Sequence, residues 1–316
     1  MGSEASPSLP VIDFCKLDIK PGTPEWDSLR SQVWKAINEC GSFEAVFSKF
    51  SQELRESFLN EAEELFALPL ETKKSYVTEK PFRKYVGQSP SSPLNESFII
   101  DDPLIFHNME NFCNALWPHQ EKPSFREIIQ SFCKEVFELE KTIRRMIVES
   151  LGVEKYLDEH MNSANHLLLL AKYASPQTSD VDSGLPAHTD KNMITILHQN
   201  EVGGLEVQTK GGEWIRVKFS PDSFIVLFGQ SLNAWTNGRL HCPYHRVRVN
   251  ENNKARISAG FFTIFKEGYT VEAPEELVDE EHPLLFKPFD YSEFLKFLQT
   301  FAGRSTESAL KEYCGI

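Results

Sequence analysis

Apolar residues recur at helical spacing through much of the first half of the chain and in short alternating runs through the second. Between positions 26 and 40, Leu29, Val33, Trp34 and Ile37 share one helical face. Leu54, Phe58, Ala62, Leu65 and Phe66 repeat the pattern over 51–67. The longest stripe runs through Ile128, Ile129, Phe132, Val136, Leu139, Ile143 and Ile147, and predicts a helix over 125–151 that Gly152 ends. Before these helices only 11–14 reads as a strand. The segment 75–118, rich in Pro, Ser, Phe and Asn, shows weak periodicity and reads as irregular chain with short strands, at a pocket rim or as a surface connector.

From His166 the texture changes. Runs at 166–173, 193–198, 204–209, 214–217, 223–228, 246–249 and 257–265 are short and β-like, separated by turn residues such as Gly203-Gly204, Gly211-Gly212, Pro221-Asp222 and the stretch 250–254. Many short strands at close intervals predict a jelly roll or barrel. The tail after Pro274 reads as mixed, with a helix over 291–302. No flexible linker divides the chain. The expected organisation is a helical region over 1–160, a β core over 161–273 and a C-terminal extension over 274–316, forming one structural unit.

Composition changes this picture little. With 316 residues, 41% hydrophobic and 25% charged, the chain can bury a substantial core. A formal net charge of -13 argues against nucleic acid or an anionic membrane as partner. Six scattered cysteines without a C-x-x-C pair fit reduced thiols. The first ten residues lack an apolar secretory core, and the apolar run 167–171 is too short to span a bilayer. A cytoplasmic protein without a membrane partner is the expectation.

Candidate chemistry centres on His188-Thr189-Asp190. On a strand, residues two apart face the same side, so this imidazole and carboxylate are expected to enter one cavity. His245 follows after 54 intervening residues in a second strand-like segment. Two neutral imidazoles and one carboxylate, with the remaining coordination positions open, suit iron(II) oxygen chemistry. A structural zinc site would instead be closed by four protein ligands, whereas a zinc hydrolase could use the same three residues. After ten intervening residues beyond His245 comes Arg256-Ile257-Ser258. A guanidinium there can grip a carboxylate through two parallel hydrogen bonds while the serine adds a third. The alternative for Arg256 alone is an ordinary surface arginine. His241 is a rival ligand four residues before His245, but it falls in the preceding turn. His198 reads as a hydrogen-bonded structural histidine.

Taken jointly, H-x-D, a distant H and R-x-S within a β-rich half resemble the plant iron(II)- and 2-oxoglutarate-dependent dioxygenase family. Gly203-Gly204-Leu205-Glu206-Val207, Asn237-Gly238-Arg239, Ser258-Ala259-Gly260-Phe261-Phe262, Pro10-Val11-Ile12-Asp13-Phe14 and Gly41-Ser42-Phe43-Glu44 resemble further family segments, so the likeness covers nearly the whole chain. The stretches 188–197, 218–224 and 274–283 are similar to the subgroup containing the glucosinolate side-chain-modifying dioxygenases.

The resemblance implies a double-stranded β-helix core, mainly β with α, behind a helical N-terminal region. It implies His188, Asp190 and His245 as iron ligands, and Arg256 and Ser258 as holders of the distal carboxylate of 2-oxoglutarate, with Tyr173 close by. Ala171 stands where the family often has asparagine, and Gln230 where many relatives carry aspartate, which points to a local structural role for Gln230. The implied reaction consumes dioxygen and 2-oxoglutarate, releases succinate and carbon dioxide, uses ascorbate as reductant, and hydroxylates a small plant specialised metabolite. Desaturation and oxidative dealkylation are the alternatives, as are an ascorbate-dependent oxidase with the same iron triad and a non-catalytic jelly-roll binding protein. Phe98, Phe106, Phe262 and Phe265 are candidates for an apolar substrate wall, with Tyr85 and Gln88 as weaker ones. A monomer is the expected state.

Overall fold

The helical stripes become helices where capping residues let them start. Helix α1 (Pro24–Cys40) begins at Thr23, whose side chain accepts from the Trp26 amide, and ends at Gly41 with φ 66. Helix α2 (Gln52–Ala67) begins the same way, with Ser51 accepting from the Leu54 amide. Helix α5 (Pro123–Ser150) starts on a proline and buries the predicted stripe from Ile129 to Ile147, with Ile128 partly buried. Between them lie α3 (Leu70–Ser75) and α4 (Phe106–Leu116), and α6 (Leu157–Asn162) follows α5.

The protein is described by a computed structural model covering residues 8–15, 19–47, 49–78, 80, 83–175, 183–249, 254–300 and 309–316. Its strands are β1 (Val11–Asp13), β2 (Ser42–Val46), β3 (Tyr85–Val86), β4 (Asn95–Asp101), β5 (Ala164–Tyr173), β6 (Ser183–His188) and β7 (Ile194–Gln199). They continue with β8 (Leu205–Gln208), β9 (Trp214–Arg216), β10 (Ser223–Phe228), β11 (His245–Arg248), β12 (Arg256–Phe265), β13 (Thr270–Val271) and β14 (Phe289–Asp290). The short helix α7 (Gln230–Trp235) follows β10, and α8 (Tyr291–Phe297) and α9 (Ala309–Cys314) close the chain.

An eight-stranded sheet, ordered β1-β2-β10-β7-β12-β5-β4-β3, faces a four-stranded sheet ordered β6-β11-β8-β9. Together they form a double-stranded β-helix. Its inner faces pack through two apolar clusters. One joins Leu205 and Val207 to Ile225 and Leu227, and the other joins Ala171 and Tyr173 to Val247 and Val249. The outer face of the large sheet is covered by helices. There His198 and Phe224 pack on Phe50 and Phe132, and Thr263 of β12 donates to the buried Glu140 of α5 at 2.9 Å.

Several expectations need correcting. The segment 75–118 is more regular than its periodicity suggests: β4 is a seven-residue strand within the large sheet, and α4 follows it. Strand β6 had no counterpart in the periodicity. His188 is its last residue and Asp190 lies beyond it, so the two are not strand neighbours two apart. They meet because the chain turns. The C-terminal helix stops at Phe297, positions 301–302 of its expected span fall outside the described residues, and so do 250–253 of the expected turn.

Candidate active site

His188 ends β6 and His245 begins β11, and the antiparallel pairing of these strands sets the two residues directly opposite each other. Their ring centroids are 4.3 Å apart. The Asp190 Oδ1 lies 3.8 Å from His188 Nε2 and 3.7 Å from His245 Nε2. One ligand atom from each residue fits within a 4.8 Å cluster, with the imidazole edges and the carboxylate turned to a common point.

Backbone carbonyls orient both rings. His188 Nδ1 is 2.9 Å from the Pro186 carbonyl and His245 Nδ1 is 3.5 Å from that of Pro243. A carbonyl only accepts, so each Nδ1 carries the proton and each Nε2 keeps its lone pair for a metal. Burial pushes the His245 pKa down to about 4, against the opposing pull of Asp190, so this ring is a neutral ligand at ordinary pH. The side chains of His245 and Asp190 are 7% and 14% exposed and that of His188 is 37%, which puts the open side of the cluster at His188.

The loop carrying Asp190 is braced from three sides. Thr195 Oγ1 donates to Asp190 Oδ2 at 2.5 Å, and Asn192 Nδ2 donates to Thr195 Oγ1 at 2.8 Å. The Gln230 amide donates to the Asp190 carbonyl at 2.9 Å, and its side chain donates to Thr189 Oγ1 at 2.7 Å. Gly229 sits so close that a Cβ there would lie 2.1 Å from the Asn192 carbonyl oxygen. Only glycine lets α7 press on this loop.

A second polar group lies on the inner face of the large sheet. Register places Arg256 opposite Tyr173, and Ser258 between Ala171 and Gln199. The Arg256 guanidinium lies 5.0 Å from the centre of the Tyr173 ring. It donates to Gln199 Oε1 from Nε at 3.0 Å and from Nη2 at 2.8 Å, and to Ser258 Oγ from Nη1 at 3.0 Å. Arg256 is 1% exposed, and among the described residues no carboxylate acts on its charge. A buried cation without a carboxylate is costly, so this cradle suits an anionic ligand. The cluster of two histidines and a carboxylate likewise suits a divalent iron with open coordination positions.

The chain matches the family model of the 2OG-Fe(II) oxygenase superfamily over residues 164–264, and that of the "non-haem dioxygenase in morphine synthesis N-terminal" region over residues 9–120. It is 48% identical over 98% of its length, and 96% of the relative's, to the Arabidopsis thaliana protein named "Probable 2-oxoglutarate-dependent dioxygenase AOP1.2". It belongs to the iron(II)- and 2-oxoglutarate-dependent dioxygenases. Among solved structures it is similar to the rice dioxygenase for auxin oxidation, with a TM-score of 0.81 at 27% identity over 98% of this chain and 100% of that one. It is also similar to the Arabidopsis thaliana enzyme of that name in complex with 2-oxoglutarate, with a TM-score of 0.78 at 25% identity over 87% of this chain and 99% of that one.

The protein is thus a 2-oxoglutarate-dependent dioxygenase, an oxidoreductase that depends on iron(II). The fold brings His188, Asp190 and His245 together, and separately Arg256, Ser258 and Tyr173. It does not gather the four phenylalanines. Phe262 shares the inner face with Arg256 and Ser258, by strand alternation. Phe265 has the opposite parity and packs against His160, Tyr269 and Tyr291. Phe98 points away from the inner face as well, into a cluster with Phe66, Tyr76 and Phe112. Phe106 is 54% exposed at the start of α4, with the Arg126 guanidinium over its ring. The Tyr85 hydroxyl donates to Glu96, and Gln88 is exposed. His241 stands outside the triad; its backbone and ring crowd Gly41.

Gln199 and Thr195 escaped the sequence reading. Both sit on the inner face of β7; the role of Gln199 follows from register across β12, and that of Thr195 from the turn that brings Asp190 back to it, neither of which periodicity reports. Among the described residues no helix is long and apolar enough to cross a membrane, and all six cysteines are free thiols.

Proposed function

We propose that the protein hydroxylates a small plant specialised metabolite, with succinate and carbon dioxide as co-products, using His188, Asp190 and His245 as its iron ligands. In this reading Arg256 and Ser258 take the distal carboxylate of 2-oxoglutarate, and the other end of the co-substrate reaches the metal across the space between the sheets. Iron, when bound, supplies the oxygen-activating chemistry that side chains lack.

The protein's own residues do the rest. Gln199 and Tyr173 hold the guanidinium in place before the co-substrate arrives, which spares reorganisation on binding. Thr195 fixes the Asp190 carboxylate, and the Pro186 and Pro243 carbonyls fix the two rings. The open side at His188 leads to the substrate, with Phe262 on its wall. Ascorbate serves as reductant, and the protein acts as a cytoplasmic monomer. The segments 1–160, 161–273 and 274–316 act as one unit, a reading supported by a single core that includes Phe50, Phe132, Phe224 and Phe294.

The observation that carries the reading is the pairing of an open two-histidine, one-carboxylate cluster with a buried arginine that lacks a carboxylate. The solved dioxygenases for auxin oxidation support a small organic molecule as substrate. Mass spectrometry of the product made under ¹⁸O₂ tests the reaction type. Hydroxylation requires a product heavier by one labelled oxygen. A product lacking two hydrogens, or one shortened by an alkyl group, would replace hydroxylation by desaturation or dealkylation.

A further inference from the structure

The inner face of the large sheet carries two rows of residues in register. Asn95, Tyr173 and Arg256 form one row; Ser97, Ala171, Ser258 and Gln199 form the next. Every member is polar except Ala171, which leaves a low point between Ser97 and Ser258. One group beside it is unsatisfied. The Asn95 Oδ1 is buried without a hydrogen-bond partner. Ser97, 6% exposed, lies next to it on the same strand face. Buried polar atoms in native proteins are nearly always paired, so the Asn95 side chain lacks a partner that the folded chain does not supply.

Adjacent strands lie about 4.8 Å apart, so Ser97 stands roughly 10 Å from Ser258, with Ala171 midway. A ligand held by Arg256 and Ser258 that lies over Ala171 would leave a gap to the Ser97 hydroxyl that a water can fill. A water needs two to four polar partners to be held in place. The Ser97 hydroxyl, the Asn95 amide and a ligand carboxylate together provide them.

We propose that Asn95 and Ser97 of β4 form a second wall of the co-substrate site and hold 2-oxoglutarate through a water seated over Ala171. This rests on the reading that Arg256 and Ser258 bind that co-substrate. The pair positions the acid along the sheet, while Arg256 fixes its end.

The test is a binding experiment without turnover. Isothermal titration calorimetry of 2-oxoglutarate is run anaerobically on the iron(II)-loaded protein and its variants. Ser97→Ala should raise the dissociation constant about three- to tenfold, the loss of one water-mediated hydrogen bond. In an Ala171→Asn background, where an amide displaces the water, the same Ser97→Ala change should have less than a twofold effect. Asn95→Leu should match Ser97→Ala in the parent protein, and it decides the matter should Ser97→Ala fail to fold by thermal melting. In turnover, the KM for 2-oxoglutarate should rise while kcat stays near the parent value. An unchanged dissociation constant in Ser97→Ala and Asn95→Leu overturns the proposal, and so does an equal loss in the parent and in the Ala171→Asn background. Arg256→Gln is the control: if it too leaves binding unchanged, the co-substrate assignment itself fails, whereas a large loss there with none at Ser97 sinks only the second wall.

Discussion

Replacing Arg256 with glutamine isolates the anion-binding half of the site. The guanidinium is 1% exposed and already held by Gln199 and Ser258. It enters binding preorganised, and a carboxylate would receive two charge-assisted hydrogen bonds. Each is worth roughly 1.5–3 kcal/mol. Because they share one guanidinium, about 3–4 kcal/mol is a reasonable loss for the pair. That corresponds to a dissociation constant for 2-oxoglutarate raised roughly 100- to 1000-fold. Arg256→Lys keeps a charge but loses the planar fork, and should lie between, at roughly a tenth of that loss in affinity.

Stability should change less than affinity. Glutamine removes a buried charge whose desolvation opposes folding, and its amide can still donate to Gln199. Anaerobic calorimetry gives the affinities, and an iron titration gives the control, since the triad sits on β6, β11 and the turn after β6. An Arg256→Gln protein that is folded, binds iron normally and binds 2-oxoglutarate within threefold of the parent would refute the assignment.

Asp190→Ala should abolish iron binding and turnover with the fold retained by circular dichroism, while Thr195→Val, which removes the 2.5 Å hydrogen bond to Asp190 Oδ2, should weaken iron binding about tenfold. Gly229→Ala forces a Cβ within 2.1 Å of the Asn192 carbonyl, so urea denaturation should show a loss on the order of 1–3 kcal/mol, with lower iron affinity as the loop shifts. Burial against Phe50, Phe132 and Phe224 pushes the His198 pKa from 6.5 down to about 4. The unfolded chain takes up this proton near pH 6.5 and the native state does not until near pH 4, so stability falls as pH drops through that window. About 2 kcal/mol should be lost by pH 5 relative to pH 7. In His198→Phe the pH 7-to-5 loss measured in urea should shrink by about that amount; an unchanged slope would show that other groups cause it.

The parts of this fold legible in the sequence are those whose cause is local. The stripes of α1, α2 and α5 announce their helices because helical spacing acts within a few residues. Strands β7, β10 and β12 are apolar runs between turn residues, and they read as such. Strand β4 was missed because Asn95, Ser97 and Ile99 face the inner side while Phe98 and Ile100 face the helices, which blurs the alternation. The triad was legible as spacing, but the geometry expected for His188 and Asp190 was wrong: the turn after β6, pinned by Thr195 and Gln230, sets their approach. Gln199 was invisible for a related reason. Its partner lies 57 residues away, and only the β7–β12 register brings the two together. Of the four phenylalanines, Phe98 and Phe265 face the helices because strand parity decides which side a ring takes, and composition carries no parity.

The central claim is that this site couples 2-oxoglutarate decarboxylation to oxidation of a small molecule. The direct test is succinate release by the purified protein with iron(II), ascorbate and 2-oxoglutarate, with and without a pooled plant metabolite extract, beside the Asp190→Ala protein. The account predicts succinate that rises with the extract, requires 2-oxoglutarate and is lost in Asp190→Ala, matched by an oxidised compound in the pool. Oxidation of a pool compound that proceeds equally without 2-oxoglutarate, or that survives Asp190→Ala, would contradict it.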